Sequence, residues 1–136
     1  MNGLVQHTAG IEIKVLAPTL KILLKDNLGI MNDILKKGGC DNVGHFDCQM
    51  CIEISTDNAT DLLIDFLSDV LSLTYMQKTL FCNVYFSEFS ENSISAQLYG
   101  KWLGSFDERI RGVSYLATSV RRNEEKIWES HVVFDM

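Results

Sequence analysis

Cysteine and histidine residues cluster in one short stretch of the chain, where they could bind a metal. Cys48 and Cys51 are separated by two residues, and Cys40 and His45 precede them. Thiolates and imidazoles are the ligands that zinc prefers, so the spacing raises the hypothesis of a zinc enzyme or a structural zinc site. The same stretch alternates like a strand, and residues three apart on a strand face opposite sides. We therefore favour core packing for Cys48 and a surface position for Cys51.

Groups that could bind a cation or a partner lie at both ends of the chain. His7 precedes the first predicted strand, and Asp135 follows the apolar run 132–134. His7 could be a ligand, a hydrogen-bonding core residue or an exposed side chain. Asp135 must reach solvent, a cation or a hydrogen-bond donor, because burying an unpaired carboxylate is costly. Taken alone, His7 favours a structural role and Asp135 favours contact with solvent.

Motifs typical of hydrolases and nucleotide-binding proteins do not occur in the sequence. It has no Gly-x-Ser-x-Gly elbow, no phosphate-binding glycine loop and no His-Glu-x-x-His pair. Asp61, Asp65 and Asp69 recur at helical spacing, and amphipathicity alone accounts for them. We predict no catalytic residues and a solvated surface for this acidic helix face.

The hydrophobic pattern predicts the elements that must position these residues. Period-two alternation predicts strands over about residues 10–16 and from His45 onward. Helical spacing predicts one helix with Pro18 in its first turn, ending at about Lys36 before two glycines, and a second helix capped by Asp57 or Asn58. Four further strands are predicted at about 80–89, 93–103, 110–120 and 126–134.

Two helices can cover only one face of such a sheet. The predicted fold class is therefore α+β: a two-layer α/β sandwich in the order β-α-β-α-β-β-β-β. Its sheet is mixed and mostly antiparallel, with both helices on one face and the other face partly wet. With 136 residues and no linker or repeat, the sequence predicts a single domain over residues 1–136.

Composition and charge restrict the classes of molecule that the protein is expected to bind. The formal charge is −6 and the basic residues are scattered, which opposes strong direct nucleic-acid binding and favours a protein partner. No apolar run approaches a membrane span, and Met1 to His7 do not read as a secretory signal. We expect a cytoplasmic protein whose four cysteines are reduced thiols.

Several segments, in chain order, resemble the archease family. They are His7-Thr8-Ala9 before the first strand, the helix from Asp61 to Leu71, Arg111-Gly112-Val113-Ser114-Tyr115, and Val132-Val133-Phe134-Asp135. The likeness covers nearly the whole chain and implies an archease-like fold. It also implies a non-catalytic, chaperone-like accessory protein that activates the GTP-dependent, RtcB-type RNA ligase of tRNA splicing, tRNA processing and RNA repair.

The resemblance further implies a divalent cation, usually calcium, held between an aspartate after His-Thr-Ala and the aspartate near the C-terminus. Asp135 matches the second position, but Gly10 stands at the first. Glu12 shares the face of Gly10 on a strand, about 6.5 Å away, and its longer side chain could partly compensate. We predict a weakened metal-binding site formed by Asp135 and Glu12.

Two further positions depart from the family pattern. Arg111 replaces a lysine, which keeps the charge, and Leu116 replaces a histidine, which removes a polar group. The predicted partner-binding surface consists of His7, Gly10, Arg111 and Tyr115 around Asp135. The alternative is a diverged protein-binding or chaperone-like module on the same fold that has lost cation binding.

Overall fold

The structure is a computed structural model that describes residues 4–7 and 10–136. Within these ranges the chain forms two helices and eight strands. In chain order they are β1 (Leu4–His7), β2 (Gly10–Ala17), α1 (Leu20–Leu35), β3 (Cys48–Ser55), α2 (Ala59–Gln77), β4 (Thr79–Phe89), β5 (Ser93–Trp102), β6 (Gly112–Val113), β7 (Ser119–Arg122) and β8 (Trp128–Asp135). The predicted α+β class is confirmed.

The strands form two hydrogen-bonded sheets rather than the single sheet expected. The larger sheet has the order β1-β2-β8-β6, with β7 also paired to β8, and the smaller has the order β3-β5-β4. All of these pairs are antiparallel. The strand β1 was not predicted. Hydrophobic alternation shows which residues share a face but not which strands pair, so it cannot reveal a divided sheet.

Local side-chain chemistry determines where the helices begin and end. The Thr19 hydroxyl accepts a hydrogen bond from the Ile22 N–H at 3.1 Å, so Thr19 caps α1 and the helix begins at Leu20, two residues after Pro18. The Asn58 side chain accepts the Asp61 N–H at 2.8 Å and caps α2, as predicted. Gly38 adopts φ +71° after α1, in the left-handed region that suits glycine.

The core joins both helices to both sheets. Its largest fully buried side chains come from all of these elements: Phe66, Phe81, Phe134, Ile13, Leu23, Leu24, Met31, Leu35, Leu62, Leu63, Leu67 and Leu80. Two buried asparagines of α1 connect the layers: the Asn27 amide donates to the Ser130 hydroxyl at 2.9 Å, and the Asn32 amide donates to the Phe81 carbonyl at 2.9 Å. Buried hydrogen bonds of this kind fix the helix against each sheet.

The strand predicted over residues 110–120 is interrupted. Val113 pairs with Phe134 and Ser119 with His131, so residues 114–118 oppose only two residues of β8. The extra residues leave the sheet as a loop, which the Ser114 N–H closes by donating to the Val133 carbonyl at 2.8 Å. Tyr115 and Leu116, at 64% and 97% exposure, therefore project outward.

Two of the cysteines do not follow the sequence expectation. Cys40, after α1, forms a disulfide with Cys82 of β4, and their Cα atoms are 5.5 Å apart. The expectation of four reduced thiols is therefore wrong for this pair, because a compartment argument does not detect spatial proximity. Cys48 and Cys51 are free; Cys48 is half-buried against the core and Cys51 is exposed, as predicted.

In the part of the chain that the structure describes, neither α1 nor α2 combines the length and the apolar character that a bilayer crossing needs.

Gly100 is a strict packing constraint in the smaller sheet. A β-carbon there would lie 2.2 Å from Thr79 Cγ2 and 2.8 Å from Phe81 Cδ1, both on buried side chains. We expect Gly100→Ala to lower the free energy of unfolding by about 1–3 kcal/mol through overpacking. The matched control is Gly104→Ala, since a β-carbon at Gly104 meets nothing within 4 Å. Urea denaturation measures both, and equal stabilities of the two variants would contradict the assigned packing.

Candidate functional site

The register of the larger sheet brings both ends of the chain together at Asp135. Gly10 is opposite Asp135 on one side, and Gly112 is opposite it on the other. His7 pairs with Gly10 in the β1-β2 hairpin, so its backbone lies one strand further out; its side chain is outside the described residues. Three segments that are distant in sequence therefore meet around one exposed carboxylate.

Gly10 is fixed by a close backbone contact. A β-carbon at this position would lie 2.5 Å from the Phe134 carbonyl oxygen, a separation that real β-carbons do not adopt. The obstacle is backbone and cannot rotate away. The chain therefore lacks a carboxylate here, and its present backbone geometry leaves no room for one.

The Glu12 side chain contacts His131 of β8, a residue that the sequence analysis did not single out. Its Oε1 lies 3.2 Å from His131 Nδ1, and both side chains are partly buried. The register places Glu12 opposite Val133, two residues from Asp135 along β8. The predicted pair of Asp135 and Glu12 thus lies on one face of the sheet, with Glu12 in contact with His131.

Arg111 is held beside Asp135 through its backbone. Its N–H donates to the Asp135 carbonyl at 2.6 Å, and its side chain is exposed. The preceding residue is anchored by α2, because the Tyr75 hydroxyl donates to the Ile110 carbonyl at 2.7 Å and accepts the Ile110 N–H at 2.8 Å. The Arg111 backbone is therefore held beside Asp135, and both side chains are exposed.

Tyr115 faces a different surface from the one predicted. It lines a pocket of about 310 Å³ together with Ser55, Thr56, Asp57, Asp61 and Asp65. A hydrogen bond to the Asp61 carboxylate raises the pKa of the Tyr115 hydroxyl, and the negative charges nearby raise it further. The structure thus brings Gly10, Arg111 and Asp135 together, and it places the Tyr115 side chain in what we call the acidic pocket.

The acidic face of α2 carries three aspartates, Asp61, Asp65 and Asp69, at one-turn spacing. Partial burial raises the pKa of Asp65, and the neighbouring Asp61 raises it further. The pKa of Asp69 is raised in the same way, first by burial and then by Asp65. Aspartates one turn apart repel each other, so this face favours a positively charged contact.

The zinc hypothesis is not supported by the geometry of its four residues. Cys40 is bonded to Cys82, and His45 Nε2 lies 3.2 Å from a carboxylate oxygen of Asp47, with both side chains exposed. Over residues 10–136, no three or more His, Cys, Asp or Glu side chains are grouped so as to hold a metal ion.

Sequence reasoning missed the acidic pocket and His131. The pocket forms because residues 114–118 loop out of the sheet and bring Tyr115 to α2. No pattern within α2 indicates that contact. His131 could have been found from the β2-β8 register, which places it opposite Lys14 and diagonal to Glu12.

Comparisons with known proteins agree with this fold. A family model described as the Archease protein family (MTH1598/TM1083) matches residues 3–136. The crystal structure of an "archease, possible chaperone" (TM1083) from Thermotoga maritima is similar over 100% of this chain and 98% of its own, with a TM-score of 0.66 and 14% identity. No curated protein sequence matches the chain.

A second solved structure shows the same architecture. The solution structure of protein 1598 from Methanobacterium thermoautotrophicum covers 98% of this chain and 96% of its own, with a TM-score of 0.74 and 14% identity. At 14% identity, the likeness to these two structures shows the fold alone, which is that of a small α+β protein. The family match, which spans residues 3–136, is more specific: the chain belongs to the archease family.

Asp65 should make stability depend on pH. Because its folded-state pKa is raised above the ordinary 3.8, protonated Asp65 favours folding below that pH, and this contribution is lost as the pH rises through the raised pKa. We expect Asp65→Asn to increase the free energy of unfolding at pH 7 by about 0.2–0.5 kcal/mol, and the gain to shrink as the pH falls through the raised pKa toward 3.8.

The control for this prediction is Asp26→Asn on α1, which has no acidic residue one helical turn away. Thermal unfolding from pH 3 to pH 8 should show the gain for Asp65→Asn alone. A loss of stability at pH 7 in that variant would contradict the repulsion.

Proposed function

We propose that the chain is an accessory protein that activates a GTP-dependent, RtcB-type RNA ligase in tRNA splicing or RNA repair by direct protein contact. Membership of the archease family supports this role, as does the description of the similar Thermotoga protein as a possible chaperone. The observation that carries the proposal is the register that brings Gly10, Arg111 and Asp135 together. The proposal places the protein in the cytoplasm and leaves the bond-forming chemistry to the ligase.

The charge arrangement around Asp135 suits contact with a protein. Asp135 and Arg111 are both exposed, and the Arg111 N–H bond to the Asp135 carbonyl keeps their backbones adjacent. An exposed carboxylate and an exposed guanidinium on adjacent backbones can each form a charge-assisted hydrogen bond with a client surface. Such contacts give orientation and specificity without a deep pocket.

The calcium ion implied by the family resemblance does not fit the described residues. Calcium takes six to eight or so oxygen ligands, most of them from carboxylates, carbonyls and waters. Gly10 offers no side-chain oxygen, and the Phe134 carbonyl blocks even a β-carbon there. Glu12 Oε1 contacts His131 Nδ1, and over residues 10–136 no three or more His, Cys, Asp or Glu side chains are grouped so as to hold a metal ion. This geometry favours the alternative of a protein-binding module that works without the cation.

Ligase assays test the proposed role. With purified ligase from the same source, we expect added protein to increase the number of turnovers. Asp135→Ala should reduce that gain by about tenfold, which corresponds to the loss of one strong charged contact of roughly 1.4 kcal/mol. The exposed Asp26→Ala on α1 is the matched control and should keep the full gain. Ligase turnover that is unchanged by the wild-type protein would end the proposal.

Calorimetry distinguishes a protein that needs a bound calcium ion from one that acts by protein contact alone. Titration of the wild-type protein with calcium should give no saturable heat at concentrations up to the order of 1 mM, the weak end of protein calcium sites. The reason is the missing carboxylate at Gly10 and the contact of Glu12 with His131. Saturable binding that Asp135→Ala removes would instead establish a cation site, whereas ligase activation without calcium would support action by protein contact alone.

A further inference from the structure

Among the residues that the structure describes, the strand β3 forms one edge of the smaller sheet, and its outer side is unpaired. Within residues 10–136, β3 is hydrogen-bonded to β5 alone. The Thr56 N–H donates to the Asn92 carbonyl at 2.7 Å, directly after the last pair of the ladder, Ser55 with Ser93. Because antiparallel residues alternate between the two edges, the even-numbered residues of β3 bond to β5. Gln49, Cys51 and Glu53 therefore direct their N–H and C=O groups outward.

This β3 edge, residues 48–55, lacks the features that protect edge strands. It has no proline, no lysine and a single charged residue, Glu53, and its pairing with β5 is uninterrupted. The opposite edge, β4, is disrupted by register shifts between Phe81 and Asn83 and between Phe86 and Glu88. Bulges of this kind hinder further pairing. The β3 edge is thus the one suited to accept another strand.

The side chains of the β3 edge indicate what an added strand would cover. Gln49, Cys51 and Glu53 are exposed on the outer face. On the inner face Ile52 and Ile54 are buried, while Cys48 and Met50 are only half-buried. An added strand with apolar residues at alternate positions would complete the cover over Cys48 and Met50, which is the usual form of recognition by strand addition.

The negative charge near the β3 edge indicates which kind of strand would bind there. The C-terminal end of the β3 edge opens on the acidic pocket, which Ser55 lines with Asp57, Asp61 and Asp65. A strand that pairs antiparallel with β3 would have its N-terminus at that end. We propose that the β3 edge binds an extended segment of the client protein that begins with lysine or arginine and continues with alternating apolar residues. This inference rests on the proposed accessory function, since it describes how the client is held.

A second copy of the chain fits the β3 edge less well. Two antiparallel β3 strands related by a two-fold axis at Cys51 would place Asp47 of one copy opposite Ser55 of the other. A negative charge would then approach the acidic pocket, in a chain that already carries a formal charge of −6. Opposite charge on a client strand removes this repulsion.

A synthetic peptide tests the inference without the ligase. The probe is an eight-residue peptide that begins with two lysines and then alternates valine with threonine. Hydrogen exchange followed by NMR should show slower exchange of the Gln49, Cys51 and Glu53 amides once the peptide is added. The Met50 and Ile52 amides, which already bond to β5, should change little.

Matched peptides and one variant test the charge contact and the backbone hydrogen bonds separately. Replacing the two lysines by glutamates should weaken binding by about tenfold, and Asp61→Asn should reduce the advantage of the lysine peptide. N-methylation of the residues that bond to β3 should abolish binding while leaving the protein unaltered.

Three results would overturn the inference. They are unchanged exchange at the highest peptide concentration, equal binding of the N-methylated peptide, and amide protection that grows with protein concentration alone. The last result would assign the β3 edge to a second copy. Because no ligase is present, failure here is distinguishable from failure of the activation assay.

Discussion

The pairing of β8 with its neighbours is the constraint on which the rest of the larger sheet depends. β8 is hydrogen-bonded to β2 along its whole length and to β6 and β7 on its other side. Its inner residues Val132 and Phe134 are fully buried, so a shift of one residue would expose them and bury Val133 and Asp135. The hydrophobic core thus fixes the register, and the register fixes what lies beside Asp135.

The same constraint explains why the two predicted functional regions separate. Gly112 and Val113 stay in register with Asp135 and Phe134, whereas the next residues have too few partners on β8 and leave the sheet. Arg111 is therefore held at the Asp135 surface, and Tyr115 is carried to the acidic pocket. A partner that contacts both regions must bind across the intervening surface, which suits a protein better than a small ligand.

Sequence alone predicted the elements better than their arrangement. The apolar spacing of α2 and the alternation of β3 follow from burial on one face, and both predictions are confirmed. The division into two sheets, the Cys40–Cys82 disulfide and the contact of Glu12 with His131 depend on residues far apart in sequence. At the candidate site, the sequence showed glycine at position 10 where the family pattern has aspartate. It did not show the Phe134 carbonyl oxygen that leaves no room for a side chain there.

The disulfide has a topological consequence. Cys40 and Cys82 are 42 residues apart, and the covalent ring that they close contains β3 and the whole of α2. A protease that cuts once inside the ring leaves the two fragments covalently linked, and they separate only when a thiol reductant is added. Nicked protein would therefore migrate as an intact chain on a non-reducing denaturing gel.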